Sequence, residues 1–185
     1  MMKPVLAFAL LVVAAAAPAA SKSFAQWGAP AAAAIPGARG YVTIQNAAVA
    51  PDKTRTYRAI YNATRAPTEP SRLVPALDMA GAALNAFAAT GVPLRNARFA
   101  VVFHGPAIDG ILGDAHYKAK HGVANPNLKV LSELKKAGVE VFVCGQNLVR
   151  ENIDPKIISP DVTVASAAQI VLMTYQNDGY ALLSF

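Results

Sequence analysis

The chain carries one cysteine in 185 residues, Cys144, so it cannot close a disulfide within itself. That excludes a disulfide-stapled scaffold and a cysteine-rich zinc module. No G-x-G-x-x-G or P-loop signature is present, which removes the usual dinucleotide and nucleoside-triphosphate cradles. The three histidines, His104, His116 and His121, combine with Cys144 at separations that match no zinc pattern, so no metal is expected. Charge is sparse as well, at 15% of residues, with seventeen Lys and Arg against eleven Asp and Glu. Arg55, Arg58, Arg65 and Arg72 lie close in sequence but form no basic block and have no interleaved aromatics. They read as solvated surface, and no nucleic-acid partner is expected.

What remains is apolar, at 54% of residues, and unevenly distributed. Met1-Met2-Lys3 supplies a short positive start, and the uncharged run Val5–Ala17 covers 13 residues. That suits the apolar core of an export signal and falls short of the roughly 20 residues that cross a bilayer. Ala17-Pro18-Ala19 and Ser23-Phe24-Ala25 are two cleavage candidates, and the second leaves the polar residue Gln26 as the new terminus. The competing reading is an uncleaved membrane anchor. Residues 1–25 are therefore expected to be a signal peptide, with the mature chain periplasmic or secreted and no stable anchor after cleavage. Removing them takes away Lys3 and Lys22 and leaves +4 on 160 residues.

Residues 26–55, rich in Ala, Pro and Gly, read as an N-terminal arm with a short extended piece at Tyr41–Ile44. From residue 56 the pattern becomes regular. Strands are expected at Tyr57–Asn62, Arg98–Phe103, Val139–Cys144, Val162–Val164 and Tyr180–Leu183. Helices are expected at Ser71–Thr90, Ile111–Lys120, from Asn125-Pro126 to Gly138, from about Asn147, and from Ser166 to about Gln176. Asn125 is read as a helix cap, with Pro126 in the first turn. Strands alternating with helices predict one α/β domain over 56–185 with a mainly parallel sheet of about five strands. In such sheets function lies outside the carboxyl ends of the strands. His104 follows one strand there, and Cys144 ends another.

A helix starting after Cys144 would favour its thiolate, Gly145 would let the backbone turn beside the sulfur, and Gln146 and Asn147 would offer hydrogen bonds. The alternative is a buried strand cysteine packing as a small hydrophobe. His104 would polarise a ligand or pair with the thiolate, or else simply bond a loop carbonyl. No Asp or Asn is assignable as a third, orienting member, so a protease-like triad is unsupported.

VVFHGPA at Val101–Ala107, the run Asn125-Pro126-Asn127-Leu128, and LKKAGVEVFVCGQ at Leu134–Gln146 together resemble the DsrE/DsrF-like family, and within it the secreted, signal-peptide-bearing branch. VTVASAAQIVLMTYQNDGYALL at Val162–Leu183 fits the same pattern, so the resemblance covers the chain from about Tyr57 to its end. It implies a flavodoxin-like three-layer α/β sandwich that assembles as a homo-oligomer, trimer or hexamer. It also implies kinship with sulfur-relay proteins, in which a cysteine accepts sulfane sulfur as a persulfide and passes it to another protein, with no cofactor. Cys144 stands at the position of that cysteine. His104, Gly105, Gly145, Gln146 and Asn127 match motif positions around it, although capping its own helix also explains Asn127. The family's relay members are cytoplasmic, whereas this chain starts with an export signal. Val164–Ala168 also replaces an ALSA-type segment, which leaves Ser166 as the corresponding binding residue. Two functions follow from this reading: a sulfur carrier with a donor or acceptor protein, or a non-catalytic oligomeric module that binds a small anion or a partner around a structural cysteine.

Overall fold

The structure is a computed structural model that describes residues 28–185; the expected signal peptide lies outside the described residues. Five strands form one sheet: β1 (Tyr57–Ala63), β2 (Ala97–Phe103), β3 (Glu140–Cys144), β4 (Thr163–Ala165) and β5 (Ala181–Ser184). Their order is β4-β3-β2-β1-β5, and every neighbouring pair is parallel. The helices are α1 (Pro75–Thr90), α2 (Asp114–His121), α3 (Asn127–Lys136), α4 (Gly145–Arg150) and α5 (Ala168–Asn177).

The central strands carry unbroken apolar runs, Phe99–Phe103 in β2 and Val141–Cys144 in β3, because both sheet faces are covered there. Alternating strand residues sort onto those faces. Phe99, Val101, Phe103, Val141 and Val143 point to one side, where Leu77 and Leu84 of α1 and Leu131 and Leu134 of α3 bury them. Ile60, Ala100, Val102 and Cys144 point to the other, against Ala168 and Val171 of α5. Four strands laid down in sequence build the first face, and the connection from β4 to β5 carries α5 across the second.

Two helices begin later than their periodicity predicts. Helix α1 starts at Pro75 rather than Ser71, because a residue before proline is driven out of the helical region; Val74 sits at φ −55° and ψ 128°. The helix expected over Ile111–Lys120 starts instead at Asp114 as α2, after a 3-10 segment, Gly105–Ile111. Between them the backbone pairs with a distant loop instead. Gly113 N–H donates to Ile157 O at 2.7 Å, and Ser159 N–H donates to Ile111 O at 2.7 Å. A helix here would have to give up both bonds. Asn125 does cap α3, its Oδ1 accepting from Asn127 N–H at 2.9 Å.

The arm is strapped to the helical layer. Ile35 is 1% exposed, and its N–H and C=O both bond the Asn85 amide of α1, at 2.7 and 3.1 Å. Gly37 N–H reaches Glu133 of α3, and Arg39 pairs with Asp78. Tyr41–Ile44 joins no sheet; the Tyr41 carbonyl accepts from Ala31 N–H instead.

Candidate functional site

The carboxyl ends of β1, β2 and β3 bring the site together. β1 pairs with β2 so that Asn62 lies beside Val102, and β2 pairs with β3 so that Phe103 lies beside Val143. One residue beyond those last pairs are His104 and Cys144, both on the α5 face by alternation. Cys144 is a free thiol, 6% exposed. It borders a cavity of about 240 Å³ shared with His104, Gln146, Asn147 and Arg150, and closed by Ala168, Gln169 and Leu172 of α5.

A chain of hydrogen bonds holds His104. Its backbone N–H donates to Ala63 O, and its Nε2 lies 2.6 Å from Asn62 Oδ1. The Asn62 amide nitrogen donates to Ser184 Oγ of β5 at 3.1 Å, so the Asn62 oxygen is the acceptor toward His104. That places the imidazole proton on Nε2 and leaves Nδ1 as an acceptor. Burial, and then the positive charge of Arg150, lower the His104 pKa from its ordinary value of 6.5, which favours the neutral ring.

Gly105 turns the chain away at φ +57°, a left-handed geometry that a side chain would strain. Its N–H donates to Asn147 Oδ1 at 2.7 Å. Asn147 is 3% exposed, and its Nδ2 has no hydrogen-bond partner among the described residues. Gly145 is required for a different reason. A Cβ there would meet the Ala165 carbonyl oxygen at 2.7 Å, because α4 leaves β3 directly over the end of β4.

The expected residues therefore divide. His104, Cys144 and Gln146 line the one cavity, Gly105 donates to Asn147, which also lines it, and Gly145 borders a second cavity. Ser166 is exposed and borders that second, more open cavity of about 840 Å³ along β4, which Gln146 also touches. Asn127 lies elsewhere. It is completely buried, with Oδ1 accepting from Val74 N–H at 2.8 Å and Nδ2 donating to Asn125 Oδ1 at 2.9 Å. Its oxygen serves the start of α1, and its amide nitrogen holds Asn125 at the start of its own helix. The sequence named no orienting residue for His104; the structure supplies Asn62, 42 residues upstream. Arg150 and Gln169 were also missed, and one helical turn from Gln146 to Arg150 was the available signal for the first. Among the described residues, no group of three or more His, Cys, Asp or Glu side chains is placed to hold a metal ion, and no helix is long and apolar enough to cross a membrane.

A single parallel sheet that carries a buried thiol and a neutral histidine at its carboxyl edge defines an α/β protein with a small, thiol-lined pocket. Its family is definite: the DsrE/DsrF-like family model matches residues 58–185, and the chain belongs to that family. Solved structures that resemble it include the following two. One, from Methanobacterium thermoautotrophicum, is described as a protein of unknown function, MTH1491; it is 21% identical, with a TM-score of 0.51 over 70% of this chain and 99% of its own. The other is the ychN protein of E. coli, 18% identical, with a TM-score of 0.48 over 70% of this chain and 99% of its own. No curated protein matches the chain. The likeness to MTH1491 shows the shared α/β fold, a single sheet of five parallel strands with helices.

Proposed function

We propose that the protein handles sulfane sulfur through a persulfide on Cys144, as an exported homo-oligomer in the periplasm or outside the cell. The observation that carries this reading is the cavity shared by Cys144 and His104, whose Nδ1 is the ring nitrogen not bonded to Asn62. The thiol proton passes to that nitrogen. The Sγ thiolate then attacks the outer sulfur of a persulfide donor. An Sγ–S bond forms, the donor's S–S bond breaks, and the donor leaves as its own thiolate. The sulfur keeps its oxidation state throughout, so the step uses no cofactor. A second protein thiolate collects the sulfur by the same exchange. Support for assembly comes from the α5 and β5 side, where Ile170, Met173, Leu182 and Leu183 remain between 37% and 51% exposed.

Treatment of the mature protein with a low-molecular-weight persulfide or polysulfide should add about 32 Da, one sulfur, and Cys144→Ser should add none. Equal masses for the two proteins would overturn the reading. A thiol that also resists iodoacetamide until the chain unfolds would leave the non-catalytic binding module in its place.

A further inference from the structure

Two residues that line the cavity beside Cys144, Asn147 and Arg150, carry donors that the persulfide step does not use. The first is Asn147 Nδ2, without a partner on a side chain only 3% exposed. A buried amide donor is costly to leave unmade and calls for an acceptor from a ligand. Rotating the amide is no remedy, because its Oδ1 already holds Gly105 N–H. The second is the Arg150 guanidinium. Its one ion-pair contact is a long one, 3.6 Å from Nε to Glu151, with both side chains more than half exposed. Its charge reaches into the site, since it helps lower the pKa of His104. No carboxylate borders the cavity, and a volume of about 240 Å³ admits only a small ligand. N–H donors of this kind match oxygen acceptors, and the guanidinium fork matches a group with several oxygens.

We propose that this cavity selects a small sulfur oxyanion of the thiosulfate class as sulfur donor, with Arg150 and Asn147 Nδ2 holding its sulfonate end. The proposal rests on the persulfide reading and specifies its donor. Cys144 Sγ, deprotonated, attacks the sulfane sulfur of thiosulfate. The Sγ–S bond forms, the S–S bond of thiosulfate breaks, and sulfite departs with that electron pair and takes up the thiol proton from His104 Nδ1. Arg150 and Asn147 are positioning residues here, holding the group that becomes sulfite.

Binding is tested apart from chemistry by titrating thiosulfate calorimetrically into the Cys144→Ser protein. One saturable site is expected. Adding Arg150→Gln should weaken it at least tenfold, and Arg150→Lys should restore part of the loss. Asn147→Asp keeps the acceptor for Gly105 while removing the donor, and should weaken binding similarly. Arg150 lies on the surface, so its variants should keep the parent's unfolding temperature. Absence of binding, or equal binding with Arg150→Gln, would overturn the proposal. Mass spectrometry of the wild type separates it from the persulfide reading. Sulfur gained from polysulfide but not from thiosulfate overturns the donor assignment alone, and sulfur gained from neither overturns both.

Discussion

At the scale of single residues, the site depends on how His104 is held. Its Nε2 is tied to Asn62 and its ring is partly buried beside Arg150, so the folded protein disfavours the imidazolium. The unfolded chain takes up that proton at the ordinary histidine value of 6.5, before the folded chain does. Stability contributed by this group is therefore complete above that pH, declines as pH falls below it, and levels off once folded His104 is itself protonated. Unfolding temperatures measured at pH 7.5 and 5.5 should show a smaller drop for His104→Gln than for the wild type; an equal drop would mean that His104 does not contribute. Much of this neighbourhood was legible in sequence. His104 follows the apolar run Phe99–Phe103 and Cys144 ends the run Val141–Cys144, and the register of β2 with β3 puts both on one face. Asn62 was not legible, because its partnership depends on β1 and β2 being neighbours in register, and spacing alone does not fix strand order.

At the scale of elements, the largest departures from pattern occur where a distant segment outbids local preference. The stretch after Ile111 has helical composition, yet its backbone is taken by residues 157–159. The arm has no periodicity at all, yet Ile35 docks as firmly as a core residue because Asn85 satisfies its backbone. Asn127 follows the same logic. A motif residue beside a helix start reads as a cap or a ligand, but its carbonyl oxygen serves the Val74 N–H of another helix. Asn127→Ala strands that buried donor and should cost about 1–3 kcal/mol in chemical denaturation. Sulfur loading of the folded fraction should be unchanged; a loss of loading without a loss of stability would assign Asn127 to the pocket.

At the scale of the whole molecule, the two sheet faces are unequally clothed. One carries α1 and α3, whereas α5 alone lies over the other, and Ile170, Met173, Leu182 and Leu183 stand partly bare beside it. Apolar groups clustered on one side favour contact with a second subunit. Light scattering on the mature protein should give three or six times the subunit mass, and Met173→Glu combined with Leu182→Glu should shift it toward one; a monomeric wild type would refute the assembly. The sheet order bears on when the site comes into being. The last strand, β5, lies next to the first, β1, and the Asn62–Ser184 bond joins positions 122 residues apart. Such long loops close late, after local contacts have formed. As the chain folds, α1, α3 and the strand between them can organise before the C-terminal segment joins the sheet. The histidine's support then waits for nearly the last residues to arrive. The thiol gains its chemical surroundings only in a finished chain, so the order of strands also schedules reactivity.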